Sequence, residues 1–163
     1  MTRYERSGWR DQEISARHRL WGFNCPAVDL DFLVIEYHYA KPVALIEYKH
    51  MKHHEGDNVP LLHPTYRALM DLADNYSTTY PDGTVKLTPL PFLLVRYAKD
   101  PWWFRIKPIN ATAINARKGD TGWSNWTERQ FVEGLYNMRD LKMHEQTDLA
   151  QLDDQRVWEK AVA

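Results

Sequence analysis

Apolar positions recur along the chain in two rhythms, and the rhythms divide it into elements. Residues 29–37, DLDFLVIEY, and 43–49, VALIEYK, are rich in β-branched and aromatic types and read as strands. The intervening HYAKP turns the chain, so the pair forms a hairpin. Residues 91–97, PFLLVRY, and 102–109, WWFRIKPI, read as two more strands around Lys99-Asp100-Pro101. Helical spacing shows in three places. Over 7–22, Ser7 caps, Gly22 stops, and the stripe Trp9, Glu13, Ala16, Leu20 is expected to face inward. Pro64 opens a second helix with Tyr66, Leu69, Met70 and Ala73 on one side. Thr127 and Gln130 form a capping box for a third, carrying Phe131, Leu135 and Met138. The tail from about 146 is polar and reads as short helix or frayed coil. The expected order is α-β-β-α-β-β-α, an α/β (α+β) fold in which helices flank a central mixed sheet.

Composition narrows the class without naming a function. The 163 residues fit a single domain, 1–163, and no repeat or low-complexity tract interrupts them. With 44% hydrophobic and 26% charged residues the balance is that of an ordinary globular protein. No apolar run is long enough to span a bilayer and no signal-peptide pattern opens the chain, so no membrane partner is expected. The lone Cys25 forms no internal disulfide, which suits a reducing cytoplasm. A net charge of −1 argues against a uniformly basic nucleic-acid binder, though not against a local basic patch. Three Asn-x-Ser/Thr sequons, at Asn75, Asn110 and Asn125, carry no glycan in a cytoplasmic protein and are read as coincidence.

Chemistry concentrates in the first hairpin. Residues two apart on a strand share a face, so Glu47 and Lys49 project together while Ile46 and Tyr48 face the other way. With a turn about Ala40, position i pairs with 80 − i, which sets Lys49 opposite Asp31 and Glu47 opposite Leu33. Asp31 then shares the face of Glu47 and Lys49; a turn shifted by one residue substitutes Leu30 and Phe32. Two carboxylates beside a lysine suit a hard divalent cation, which takes oxygen ligands and leaves room for phosphate and water. Glu13, a carboxylate on an otherwise apolar helix stripe, is the fourth candidate, because burying it alone costs several kcal/mol.

Asp31 followed by Glu47-Tyr48-Lys49 resembles the acidic-residue, Glu-x-Lys signature of the PD-(D/E)XK nuclease superfamily. That superfamily includes restriction enzymes, archaeal-type Holliday-junction resolvases and phage-type nucleases. The likeness covers roughly residues 7–110, with an approximate match to the family's αβββαβ core. The stretch from YERSGWRDQEISARHRLWG through CPAVDLDF to PVALIEYKH is similar to nuclease-like proteins of phages and mobile elements. The resemblance implies a restriction-endonuclease-like core and an Mg²⁺- (or Mn²⁺-) dependent phosphodiesterase acting on DNA in a bacterial or phage-infected cell. It implies Asp31 and Glu47 as metal ligands, Lys49 as the catalytic lysine and Glu13 as the helix glutamate. The chain departs from the signature at the Pro-Asp pair. Pro26 precedes Asp29 rather than Asp31, so Asp29, of the same parity, is a candidate second ligand.

Basic residues supply a candidate phosphate rim. Arg17, Lys52, His53 and Arg67 are the expected nucleic-acid contacts, and Lys41, Arg96, Arg105, Lys107, Arg117 and Lys118 are further candidates. The loop His50-Met51-Lys52-His53-His54-Glu55 lacks the paired spacing of a zinc site and reads as polar loop near substrate. Of Trp102 and Trp103, one is expected buried and the other exposed or capped by the final helix; Trp123 and Trp126 are expected to staple that helix to the sheet. A homodimer is compatible with the sequence, since paired cuts in a branched substrate require paired sites. The competing reading is a non-catalytic nucleic-acid- or protein-binding module on the same fold, a regulator or an anti-defence factor.

Overall fold

The computed structural model describes residues 30–51 and 56–162, with Glu13, Arg17 and Leu20 in helical conformation, and side chains as far as Gln146. Strands β1 (Phe32–Glu36) and β2 (Lys41–His50) are followed by helix α1 (Pro64–Asp74). A small hairpin, β3 (Ser77–Thr79) and β4 (Val85–Leu87), precedes β5 (Phe92–Ala98) and β6 (Trp103–Pro108). Helix α2 (Ala111–Ala116), strand β7 (Ser124–Thr127) and helix α3 (Glu128–Val162) complete the chain. Among the described residues the main sheet has the order β1-β2-β5-β6-β7. β2 and β5 are parallel and the other pairs antiparallel, so the sheet is mixed and flanked by helices, as expected. A tight turn cannot join parallel neighbours, and α1 with the β3–β4 hairpin makes that crossover.

Local chemistry explains the elements that set the site. Pro64 starts α1 behind His63, whose ring accepts the Thr65 amide at 3.3 Å. Tyr66, Leu69 and Ala73 then point into one face of the sheet, against Leu45, Phe92 and Leu94. On the opposite face Ile46, Val95, Phe104 and Ile106 meet Phe131 of α3. The Thr127–Gln130 capping box forms reciprocally, with bonds of 2.9 and 3.3 Å. Trp126 staples α3 as expected: a Cβ on Gly134 would lie 2.6 Å from its ring, so only glycine admits this approach.

Several expectations are corrected. The polar tail is not a short or frayed segment, because α3 runs unbroken to Val162. Glu13 and Leu20 do not face a core; both are exposed, Leu20 at 81%. Trp102 and Trp103 are both exposed, because Trp102 sits in the turn before β6 and stacks on Tyr97 and Phe104 from outside. Trp123 lies on the α1 face, not against α3.

Candidate active site

The β1–β2 register decides what meets at the carboxylates. Glu36 turns the chain by accepting the amides of His38 and Tyr39 at 2.8 and 2.7 Å, and Ala40 takes a φ of 53°. Beyond that turn Glu36 pairs with Lys41 and Ile35 with Pro42, a register of the wrong parity for the site. The pairing then slips: Val34 faces Ala44, leaving Val43 as the extra residue of a β-bulge. Phe32 therefore faces Ile46, and one step further Asp31 comes opposite Glu47. The expected pairing of Asp31 with Lys49 is thus displaced by two residues. Two residues preserve the face, so Asp31, Glu47 and Lys49 still share one side of the sheet.

Glu47 sits at the centre of this arrangement, with only 4% of its surface exposed. Its Oε1 accepts from Lys49 Nζ at 2.6 Å, while its Oε2 is buried with no hydrogen-bond partner. Asp31, exposed at the strand start, accepts the Tyr48 amide at 2.9 Å and lies within hydrogen-bonding reach of Glu47. Burial pushes the Glu47 carboxyl above its ordinary range; Lys49 opposes that shift and Asp31 adds to it. The hydrogen bond to Glu47 holds the Lys49 ammonium above its usual range, so lysine stays charged at neutral pH. A buried carboxylate oxygen without a donor, beside a second carboxylate, calls for a proton or a cation. The donor set therefore fits a divalent ion held by two carboxylates, with open positions for other oxygens.

Two further residues complete the face, and both came from outside the acid-acid-lysine pattern. Tyr66 of α1, 8% exposed, lies in the field of Lys49, Glu47, Arg96 and Asp31, and burial raises its phenol. Sequence spacing assigns Tyr66 to the core, and its second role depends on which face α1 covers. Arg96 is the β5 partner of Lys49 and is 7% exposed. Its guanidinium donates to the Gly56 carbonyl at 2.8 Å.

The remaining candidates separate from this centre. Glu13 is exposed with its carboxylate 3.7 Å from Arg17, an i, i+4 pair on the helix surface. Among the described residues no three His, Cys, Asp or Glu side chains converge as metal ligands do, so Glu13 does not join Asp31 and Glu47. Arg67 is exposed on α1, next in sequence to the inward Tyr66. Arg117 is engaged by Asp120 at 2.7 Å and by the Gly122 carbonyl at 2.9 Å. Asp29, Lys52 and His53 lie outside the described residues. An apolar cavity of about 440 Å³ opens elsewhere, bounded by Leu93, Ile106, Ala113, Phe131 and Met138. It holds neither Asp31 nor Glu47 and lies between the sheet, α2 and α3, with Arg117, Lys142 and Glu145 also in its lining. No described helix is long and apolar enough to cross a membrane. Compared with protein-family models, with curated proteins and with solved structures, the chain matches none.

Proposed function

We propose that the chain is a metal-dependent nuclease, hydrolysing phosphodiester bonds in DNA at Asp31, Glu47 and Lys49. One observation carries the reading: the buried Oε2 of Glu47 lacks a protein partner although a second carboxylate stands beside it. Lys49 compensates only the Oε1 side of Glu47, and the uncompensated Oε2 beside the Asp31 carboxylate costs folding free energy that a bound cation would recover. Asp31 and Glu47 would hold Mg²⁺ or Mn²⁺. When bound, the ion supplies Lewis-acid polarisation of the phosphoryl oxygen and lowers the pKa of water.

The chain's own groups do the rest. Lys49 keeps its proton and its charge, and 49% of its side chain is open to solvent, where a phosphate can approach. From there its ammonium stabilises negative charge growing on the phosphoryl oxygens. Glu47 orients that ammonium through the 2.6 Å contact. Asp31 is fixed at the strand start by the Tyr48 amide, so its free oxygen is directed without loss of rotamer freedom at the moment of reaction. The restriction-endonuclease-like reading of the core belongs to the same proposal. It is supported by an acid-bearing hairpin followed by a helix and then by a strand parallel to β2, while the third strand that the family places before that helix has no counterpart among the described residues.

The test is a panel of end-labelled duplex, single-strand, flap, four-way-junction and RNA substrates with Mg²⁺, with Mn²⁺ and with EDTA. Cleavage of at least one DNA substrate, lost in EDTA, is the expected result. Tight binding with no cutting under any metal would instead favour the non-catalytic binding module.

A further inference from the structure

Lys49, Arg96 and Arg105 are successive cross-strand partners on β2, β5 and β6. Directly opposed residues share a face, so three cations form a row across the sheet, spanning roughly 10 Å at the usual strand spacing. Like charges set directly opposite destabilise a sheet, and Arg96 is also almost fully buried. The fold holds the row together with Trp123, whose ring lies 4.7 Å from the Arg96 guanidinium and 5.1 Å from that of Arg105. Lys107 adds a third cation 5.8 Å from the same ring. One short segment lies across the row. The Gly56 carbonyl accepts from Arg96 at 2.8 Å and the Asp57 carbonyl from the Trp123 indole at 3.1 Å. The Asp57 carboxylate meets Arg105 at 3.0 Å, and that carboxylate is itself 67% exposed.

We propose that this row is the track for the phosphodiester backbone flanking the bond to be cut, and that Asp57 occupies the place of a phosphate on Arg105. The inference rests on the nuclease reading and adds the direction in which the strand lies, away from Glu47 toward β6. A planar guanidinium grips a carboxylate and a phosphate oxygen pair in the same way, so one anion can replace the other. The Asp57–Arg105 pair is exposed on the acid's side, which makes the exchange inexpensive. Strand entry releases Asp57 to solvent. Arg96, sheltered beneath the Gly56 carbonyl, and Trp123 stay in place as the floor.

The experiment is binding of a fluorescein-labelled DNA oligonucleotide in EDTA, followed by anisotropy over a series of salt concentrations. Because no turnover is involved, the outcome is independent of catalysis. Asp57→Asn is expected to tighten binding about threefold to tenfold, since the competing charge is gone. Arg105→Gln is expected to loosen it about tenfold and to reduce the slope of log K against log salt by about one. Arg105→Lys should retain the slope if its melting temperature matches the native chain, which separates lost charge from lost packing. In the double variant the gain from Asp57→Asn should vanish. Unchanged or weaker binding by Asp57→Asn, or an unchanged slope in Arg105→Gln, would overturn the track while leaving the cleavage test standing. A native chain that binds no oligonucleotide in EDTA would overturn the track, and the cleavage panel with Mg²⁺ and Mn²⁺ decides the nuclease reading separately.

Discussion

Lys49→Ala should lower single-turnover cleavage by about 10²–10³-fold at saturating Mg²⁺, with the melting temperature little changed. The magnitude is that of removing one preorganised charge from a developing oxyanion. The small effect on stability is expected because the Lys49 side chain is half exposed and, at saturating Mg²⁺, the bound ion would compensate the buried Glu47 carboxylate; without metal the same variant should be destabilised. The Glu47 carboxylate also loses the donor on Oε1, so Lys49→Ala acts through two routes. Lys49→Arg restores a cation to Glu47 but carries a planar fork where a compact ammonium stood, and a partial recovery is expected. Equal rates for the native and alanine forms would show that Lys49 serves only as the ion-pair partner of Glu47.

The largest loss of stability should come from a residue with no part in the chemistry. Asn110 is 3% exposed and uses both ends of its amide. Its Oδ1 accepts the amides of Phe92 at 2.9 Å and Ala113 at 3.1 Å, capping α2 and fixing the start of β5. Its Nδ2 donates to the Leu90 carbonyl and to Asp74, each at 2.8 Å. One side chain therefore ties together α1, β5 and α2. Asn110→Ala leaves several of these buried groups unsatisfied, and a loss of about 4 kcal/mol is expected, or roughly 10 °C in melting temperature. Asn110→Asp should cost more at neutral pH, because it places a second carboxylate against Asp74 and the Leu90 oxygen. Thermal melts followed by circular dichroism measure both. A shift of only a degree or two would mean the network is dispensable. The same burial disposes of the sequon at Asn110, whose amide is not available to an enzyme.

Pattern alone located the four central strands, the helix at Pro64 and the capped start of α3, because each has an unbroken rhythm and a chemical signal at its end. The site face was legible for a less secure reason. A turn about Ala40 places Asp31 with Glu47 and Lys49, and the true turn, closed on Glu36, does not. The bulge at Val43 restores the parity, and its one signal in the sequence is Pro42, which cannot donate to a central-strand ladder. Two offsets of opposite effect yield the expected face by a different register. The β3–β4 hairpin was hidden because three-residue strands carry no periodicity, although Asp82-Gly83 marks its turn. Helix α3 outran its apolar stripe because charged residues sustain a helix without one. Arg96, Arg105 and Lys107 were legible as candidate phosphate contacts, but their alignment with Lys49 and the place of Tyr66 beside the carboxylates were out of reach. Each depends on which elements become neighbours across the sheet, a fact that long-range pairing supplies and local sequence does not.

The proposed cleavage depends on Asp31 and Glu47 together holding a divalent cation. Calorimetric titration of Mn²⁺ into the native chain, with Glu47→Gln beside it, tests that binding without reference to any substrate. The glutamine keeps the shape of the glutamate, removes its charge and exchanges one acceptor oxygen for an NH₂ donor. Saturable binding of Mn²⁺ to the native chain, abolished or weakened more than tenfold in Glu47→Gln, is the predicted result. No binding by the native chain, or equal binding by both, would contradict it.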